Sequence, residues 1–312
     1  MLIERRGGAV VVWAPAKVNL FLEILSKRND GYHEIATLMV AVSLFDTLEF
    51  IELSDPVLRV DCDEPRLSAG PDNLVYRAAD LLRGRSQESR GVAIRLRKRI
   101  PLAAGLAGGS SDAAAVLVGL NLLWQLGKTH QELSVLGAEL GSDVAFFLGG
   151  PASWCTGRGE QVSPVQLGRE LWLVLACLPL GLATAEVYAR VRVPGSPEKG
   201  EEIRRAATEG RIEELGRLLH NRLQGVAEEM CPGISQLRRR LEQLQPAGQL
   251  MSGSGPTVFA LCRDQEDASR IAHELQHGRR EETSPNVFLV RSCFELATDI
   301  KETSCGDHRS PH

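Results

Sequence analysis

A glycine-rich stretch, PLAAGLAGGSS, is the part of the sequence best suited to binding an anion. It follows the alternating segment Val92–Leu96, which predicts a half-buried strand, and precedes a helical pattern from Asp112 to Trp124. A helix N-terminus presents free N–H groups and about half a positive charge. We therefore predict a phosphate-binding loop here. Its candidate cofactor-binding residues are Pro101, Leu102, Ala103, Ala104, Gly105, Leu106, Ala107, Gly108, Gly109, Ser110 and Ser111.

Two common phosphate-binding patterns do not fit this stretch. The P-loop pattern needs Gly-Lys followed by Ser or Thr, and the stretch contains no lysine. The dinucleotide pattern GxGxxG fails because Ala107 and Ser110 stand where glycines are required. Taken alone, the stretch also fits a structural turn in which Ser110 or Ser111 caps the following helix.

Three segments resemble, in order along the chain, the three motifs of the GHMP kinases (galactokinase, homoserine, mevalonate and phosphomevalonate kinases). They are APAKVNL from Ala14 to Leu20, the glycine-rich stretch continued as DAA, and MSGSGP from Met251 to Pro256. Four shorter segments point to the branch with a cytidylyl substrate: DGYH at 30–33, LGSDV at 140–144, GRGE at 157–160 and TAEVY at 184–188. The resemblance covers most of residues 10–295 and fades over 192–233 and in the tail.

The resemblance implies an α+β, two-domain GHMP kinase fold. Its N-terminal domain is a ribosomal-protein-S5-like α+β domain, and its C-terminal domain is an α/β-sandwich. We expect these domains at 1–160 and 161–300, followed by a flexible polar tail at 301–312. Position 107 departs from the family pattern, since many superfamily loops have Gly where this chain has Ala107.

The resemblance also implies a reaction. ATP, with Mg²⁺, phosphorylates the 2-hydroxyl of the small-molecule substrate 4-diphosphocytidyl-2-C-methyl-D-erythritol, in the non-mevalonate route to isoprenoid precursors. Two alternatives stay open: a GHMP kinase with a different acceptor, and a non-catalytic sensor on the same fold. The sequence does not identify the Mg²⁺ ligands.

Residue roles follow from the same resemblance. Asp143 matches the acidic residue that receives the hydroxyl proton, and Lys17 matches the lysine beside it. Tyr32 and His33 match cytosine-binding residues, and Tyr188 an aromatic that stacks on the base. The further candidates for binding the substrate are Asn19, Thr184, Gly253 and Ser254. Taken singly, each fits a plainer role, such as an exposed strand lysine for Lys17 or a helix cap for Asp143.

Hydrophobic periodicity predicts the elements that hold these residues. Predicted strands cover 10–12, 18–25, 171–178, 258–262 and 287–293, and predicted helices cover 130–140, 203–226, 234–244 and 265–277. Arg192–Gly200, with two prolines and two glycines, predicts a loop.

One helix carries HELQH at 273–277, which matches the HExxH pattern of zinc proteases. Its apolar stripe runs through Ala268, Ile271, Ala272 and Leu275, which leaves both histidines on the polar side. Zinc ligands face a supported cleft, so we predict a solvated helix face instead.

Composition narrows the class of protein. The chain has 312 residues, 43% of them apolar and 24% charged, as in globular proteins. Its net charge of −4 argues against a nucleic-acid partner. Leu171–Leu182 is too short and too interrupted to span a membrane. Seven scattered cysteines without a CxxC pair favour the reducing cytoplasm. Either a monomer or a homodimer is compatible with the sequence.

Overall fold

The computed structural model describes residues 1–277, 284–293 and 301–302. The strands within these residues are β1 (Leu2–Arg6), β2 (Ala9–Lys27), β3 (His33–Leu53), β4 (Leu58–Cys62), β5 (Gly91–Arg97), β6 (Ala152–Thr156), β7 (Gln161–Pro164), β8 (Trp172–Cys177), β9 (His220–Asn221), β10 (Gly248–Met251), β11 (Val258–Cys262), β12 (Asn286–Arg291) and β13 (Lys301–Glu302). The helices are α1 (Leu74–Ser86), α2 (Gly108–Leu123), α3 (His130–Leu140), α4 (Ser142–Gly149), α5 (Thr184–Arg190), α6 (Glu201–Thr208), α7 (Ile212–Arg217), α8 (Gln224–Met230), α9 (Pro232–Gln243) and α10 (Gln265–His277).

The larger sheet is built around the long antiparallel pair β2 and β3. Its main path runs β13-β1-β2-β3-β5-β4, while β6 pairs with β3 and β7, and β9 pairs with β2. β2 is buried along most of its length. Val12 and Ala14 pack with α1 and α2 in one core cluster, whereas Val18 and Leu20 pack with residues of the other sheet in a second cluster. β2 therefore lies at the centre of the molecule.

The smaller sheet has the order β10-β11-β8-β12, with every pair antiparallel. Side chains of β8 alternate between two core clusters, since Leu173 and Leu175 join one and Val174 and Ala176 the other. Such alternation follows from the two-residue repeat of a strand. Helices α6 and α7 cover one face, and α9 and α10 cover the other. This sheet is thus buried on both sides.

Several predicted elements differ from the structure. The predicted strands 10–12 and 18–25 form one strand, β2, because a bulge between Pro15 and Ala16 accommodates the proline. The single helix predicted over 203–226 is wrong. The chain forms α6, α7, β9 and the start of α8 there, and Gly210, with φ +69, follows the end of α6. Helix α2 begins at Gly108, and neither Ser110 nor Ser111 caps it, since Ala107 is its N-cap residue.

The division near residue 160 stays a prediction. Beyond that residue, β7 and β9 still pair with strands of the larger sheet. The first two residues of the predicted tail form β13, which pairs with β1 in parallel, and 303–312 lie outside the described residues. Within the described part of the chain, no helix is both long and apolar enough to cross a membrane.

Candidate functional site

A cavity of about 1000 Å³ brings together most of the predicted site residues. Those on its wall are Lys17, Asn19, Tyr32, His33, Pro101, Leu102, Ala103, Ala104, Gly105, Ala107, Gly108, Gly109, Ser110, Asp143, Thr184, Tyr188, Gly253 and Ser254. Two predicted cofactor-binding residues, Leu106 and Ser111, are buried behind the wall. One cavity therefore contains the predicted phosphate loop, catalytic pair and substrate residues.

The glycine-rich loop packs closely against two other segments of the chain. The main-chain N–H of Lys17 donates to the carbonyl of Leu106 at 3.1 Å. A Cβ on Gly105, where φ is +75, would lie 2.2 Å from the carbonyl oxygen of Ser252. Only glycine therefore fits at position 105. The loop also places Ala107 at φ +55, a conformation that L-residues other than Gly adopt at a cost.

Lys17 is a buried lysine at the centre of the cavity wall. It lies on β2 between two bulges, which change the direction of neighbouring side chains. Its Nζ donates to Asn19 Oδ1 at 2.7 Å and to the carbonyl of Gly105 at 3.0 Å. The same Nζ lies 3.8 Å from Asp143 Oδ2. Burial lowers the pKa of the Lys17 ammonium, and the Asp143 carboxylate opposes this shift.

Asp143 lies in the first turn of α4, where the positive end of the helix dipole favours a carboxylate. About a third of its side chain, 35%, is exposed, whereas that of Lys17 is 4% exposed. Asp143 is therefore the accessible member of the pair, and Lys17 is the buried member.

Asn19 connects Lys17 to the next strand. Its Nδ2 donates to Thr37 Oγ1 at 2.8 Å, and Thr37 Oγ1 donates to the carbonyl of Phe21 at 2.6 Å. The hydrogen bond from Asn19 to Thr37 fixes the amide that accepts from the Lys17 ammonium. Direct contact of Asn19 with substrate stays a prediction.

The turn at 252–256 completes the wall from the side of the smaller sheet. A Cβ on Gly253, where φ is +55, would lie 3.2 Å from Lys17 Nζ. Asn221 holds this turn, because its Nδ2 donates to the carbonyls of Met251 at 2.7 Å and Gly253 at 2.8 Å. The hydroxyls of Thr184 and Ser254 lie 2.9 Å apart. Sequence reasoning missed Asn221, since nothing distinguishes an asparagine on a two-residue strand.

Aromatic residues surround the far end of the cavity. The rings of His33 and Tyr188 lie 5.6 Å apart at 42°. Tyr32 is 55% exposed and is therefore accessible to a ligand. Burial and the nearby Lys27 lower the pKa of His33, which favours a neutral imidazole that can both donate and accept hydrogen bonds.

A buried ionic cluster, unrecognised from the sequence, lies beneath the loop. Lys98 Nζ contacts Asp46 Oδ2 and lies 2.6 Å from Asp112 Oδ2. The other oxygen of Asp46 accepts from the main-chain N–H of Arg99 at 2.5 Å and of Ile100 at 2.9 Å. These bonds tie β3 to the start of the loop and to α2. In the sequence, Lys98 stands in the basic run Arg97–Arg99, which gives no sign of its acidic partners.

The HELQH segment lies on α10, away from this cavity. The buried residues of α10 are those of the predicted apolar stripe, and both histidines are exposed. His273 and His277 stack at 4.0 Å, with His277 Nδ1 3.0 Å from the carbonyl of His273. Among the described residues, no group of three or more His, Cys, Asp or Glu is arranged to hold a metal ion.

Comparison with known proteins identifies the class. The model of the GHMP kinases N terminal domain matches residues 73–151, and that of the GHMP kinases C terminal matches residues 203–279. A homoserine kinase from Cytophaga hutchinsonii has the same fold, with a TM-score of 0.74 at 18% identity, over 94% of this chain and 97% of that one. The fold and the cavity thus define a GHMP kinase, and the predicted fold and enzyme class are confirmed.

More similar relatives identify the branch. The 4-diphosphocytidyl-2-C-methyl-D-erythritol kinase of Shouchella clausii is 42% identical over 271 residues, which are 84% of this chain and 89% of that protein. Its namesake in Brevibacillus brevis is 40% identical over 285 residues, covering 90% and 96%. The crystal structure of a 4-(cytidine 5'-diphospho)-2C-methyl-D-erythritol kinase matches with a TM-score of 0.74 at 34% identity, over 90% of this chain and 98% of that one. The chain belongs to the family of 4-diphosphocytidyl-2-C-methyl-D-erythritol kinases.

Proposed function

We propose that the protein transfers the γ-phosphoryl group of ATP to the 2-hydroxyl of 4-diphosphocytidyl-2-C-methyl-D-erythritol, giving the 2-phosphate and ADP. The position of the Lys17 ammonium carries this proposal. It contacts the phosphate loop at the Gly105 carbonyl, 3.0 Å away, and lies 3.8 Å from the carboxylate of Asp143. One cation therefore joins the binding site of the phosphate donor to the group suited to activating the acceptor.

The proposed chemistry needs positioning more than strong basicity. The acceptor oxygen forms a bond to the γ-phosphorus, and the bond from that phosphorus to the β–γ bridging oxygen breaks, so that ADP leaves with the electron pair. Asp143 takes the hydroxyl proton. A carboxylate is adequate for this role because phosphoryl transfer is largely dissociative. Lys17 orients Asp143 and offsets the charge of the transferring oxygens.

The loop and the start of α2 are suited to binding the triphosphate. Gly108 and Gly109 open the helix on the cavity wall, where free N–H groups favour anions. Mg²⁺ would neutralise phosphate charge at this end of the cavity. The Ser110 hydroxyl on this part of the wall would be one ligand for such an ion, since Mg²⁺ prefers one or two protein oxygens completed by phosphates and water.

The aromatic end is suited to the cytosine. Tyr32 and Tyr188 offer ring faces, and stacking on a base contributes about 1–3 kcal/mol. Neutral His33 supplies a donor and an acceptor for the base edge. Thr184, Gly253 and Ser254 lie on the wall with the catalytic pair, where the methylerythritol unit would bind.

An acceptor comparison tests the proposal. ATP is supplied with 4-diphosphocytidyl-2-C-methyl-D-erythritol, homoserine or mevalonate, and ADP release and the ³¹P NMR spectrum of the product are measured. We expect turnover with the cytidylyl substrate alone and a new phosphomonoester signal at its 2-position. Comparable kcat/KM with homoserine or mevalonate would establish a different GHMP kinase. ATP binding without turnover of any acceptor would establish a sensor.

We further infer that the enzyme works in the cytoplasm as a monomer or homodimer. The cysteines within the described residues are free thiols, and most of them are buried. Such thiols suit a reducing compartment.

A further inference from the structure

The proposed acceptor carries a diphosphate between its cytidine and its methylerythritol unit. A diphosphate brought into a partly enclosed cavity loses hydration and needs cationic or N–H partners. Two lysines on the wall are already engaged. Lys17 contacts Asn19, Gly105 and Asp143, and Lys98 is held between two aspartates. The diphosphate therefore needs a cationic partner on the wall besides these two lysines.

The turn between β6 and β7 places Arg158 between the two ends of the cavity. A Cβ on Gly159 would lie 4.0 Å from Asp143 Oδ1, so the turn adjoins the catalytic pair. On the other side, Arg158 Cζ lies 5.0 Å from the centroid of the Tyr32 ring. Arg158 thus spans the interval between the acceptor hydroxyl and the base, which is the position of the diphosphate in the substrate.

The backbone of this turn is fixed. The main-chain N–H of Gly157 donates to Glu34 Oε1 at 3.1 Å, and its carbonyl accepts from Ile35 N–H at 2.8 Å. Glu160 Oε2 accepts from the main-chain N–H of Arg158 at 2.6 Å. Because β3 holds the turn, the Arg158 side chain extends from a rigid base.

The guanidinium itself has donors to spare. Arg158 Nε lies 4.0 Å from Glu160 Oε1, beyond hydrogen-bond distance, and its side chain is 31% exposed. No hydrogen bond from its guanidinium to another of the described residues is present. Lys27, whose main chain pairs with His33, adds a second positive charge on the same wall. A planar guanidinium with free donors matches the geometry of phosphate oxygens.

We propose, on the basis of the proposed function, that Arg158 binds the diphosphate of the cytidylyl substrate and so selects acceptors that carry it. The arginine stacks on Tyr32 and presents its donors to the phosphate oxygens. Its contribution belongs to substrate binding and not to phosphoryl transfer.

Ligand truncation tests this assignment without requiring turnover. Binding of CDP and of cytidine is measured by calorimetry, with a non-hydrolysable ATP analogue occupying the donor site. The wild type should bind CDP more tightly than cytidine. Arg158→Gln should weaken CDP binding about tenfold, as expected for loss of a charged hydrogen bond, and leave cytidine binding unchanged. Arg95→Gln, an exposed arginine on β5 paired with Glu49, is the matched control and should change neither.

Kinetics supply an independent readout. In Arg158→Gln, KM for the cytidylyl substrate should rise, while kcat and KM for ATP stay near the wild-type values. Arg158→Lys keeps the charge and perturbs folding least. Its KM for the cytidylyl substrate should lie between those of the wild type and Arg158→Gln. Equal loss of CDP and cytidine affinity, or no loss of either in both variants, would overturn the role of Arg158. Failure of the wild type to bind CDP and cytidine would overturn the cytidylyl acceptor and this inference together.

Discussion

The Lys17 ammonium has three N–H donors, and three oxygens surround it. Two are neutral acceptors on Asn19 and Gly105, and the third belongs to the Asp143 carboxylate. Burial of a lysine disfavours its charged form, and the Asp143 carboxylate and the neutral acceptors favour it. The incoming phosphates would strengthen this effect, and the ammonium is consequently most stable when ATP is bound.

At this scale we predict that Asp143→Asn abolishes most turnover. The amide keeps the shape of the carboxylate but cannot take the hydroxyl proton, so kcat should fall about 10²–10⁴-fold. The ATP dissociation constant should stay within about twofold, because the proposed role of Asp143 is in the transition state and not in the binding of ATP. Stopped assays of kcat and a fluorescent nucleotide titration measure the two quantities. Asp80→Asn, on the exposed face of α1, serves as the control, and near-normal kcat in Asp143→Asn would contradict the role.

Lys17 and Asp143 could be proposed from the sequence because each lies within a short contiguous motif, and the fold places them 3.8 Å apart. The arrangement that holds them could not be predicted. Lys98 is 52 residues from Asp46 and 14 from Asp112, and only the fold brings the three together. Asn221 contacts a turn 30 and 32 residues away for the same reason. Contacts between distant segments leave no periodic signal in a single sequence.

At the scale of elements, the Lys98 cluster connects β3, the loop and α2 in a buried environment. Burial raises the pKa of Asp112 to about 7, with Asp46 reinforcing the shift and Lys98 opposing it. A raised carboxyl pKa means that the native state holds the proton more tightly than the unfolded chain does. Asp112 therefore contributes stability that is present below pH 4 and is lost as the pH rises through about 7.

This loss of stability with rising pH gives a prediction for Asp112→Asn. The variant does not titrate at this position, so the wild type should lose stability relative to it between pH 5 and pH 8. Urea unfolding of both proteins at the two pH values measures the difference. Asp61→Asn, at an exposed position on β4, is the control for the exchange of a carboxylate for an amide. The assignment fails if the Asp112→Asn difference is independent of pH.

Element boundaries were predictable where hydrophobic periodicity is regular. β11 has both predicted limits and α10 begins at the predicted residue, because a turn precedes each of them. β2 was predicted as two pieces since Pro15 lacks an N–H and reads as a break. A bulge accommodates it, and bulges depend on the partner strand. Helices α6, α7 and α8 each have apolar residues at helical spacing, so the sequence pattern predicts one continuous helix and gives no sign of the breaks between them.

At the scale of the molecule, a buried glutamate fastens the larger sheet to the segment between α5 and α8. Glu23 on β2 accepts from Arg222 Nε at 2.7 Å and Nη2 at 2.6 Å. It also accepts from the main-chain N–H of Glu198 at 2.9 Å. Its side chain is fully buried, whereas that of Arg222 is 30% exposed. The segment that includes Val193 on the cavity wall is thereby anchored to the central strand.

We predict that Glu23→Gln destabilises the whole fold. The neutral amide has one oxygen for the two Arg222 N–H donors, Nε and Nη2. Removing one partner of a buried ion pair lowers the free energy of unfolding by about 3 kcal/mol. Guanidinium unfolding measures the loss. Glu49→Gln, which breaks the exposed pair with Arg95, should cost less than about 1 kcal/mol. Equal losses in the two variants would show that the Glu23 pair does not fasten the segments.

The short strand β9 has a consequence for anyone who exchanges parts between relatives. Its two residues come from the C-terminal half of the chain, yet they pair with Phe21 and Leu22 at the centre of the larger sheet. Asn221, on the same strand, holds the turn beside Lys17. A chimera joined between β7 and β8 would therefore import a foreign strand into the recipient's sheet and a foreign support for the turn beside Lys17. Successful hybrids must keep β2, β9 and the 252–256 turn from one parent.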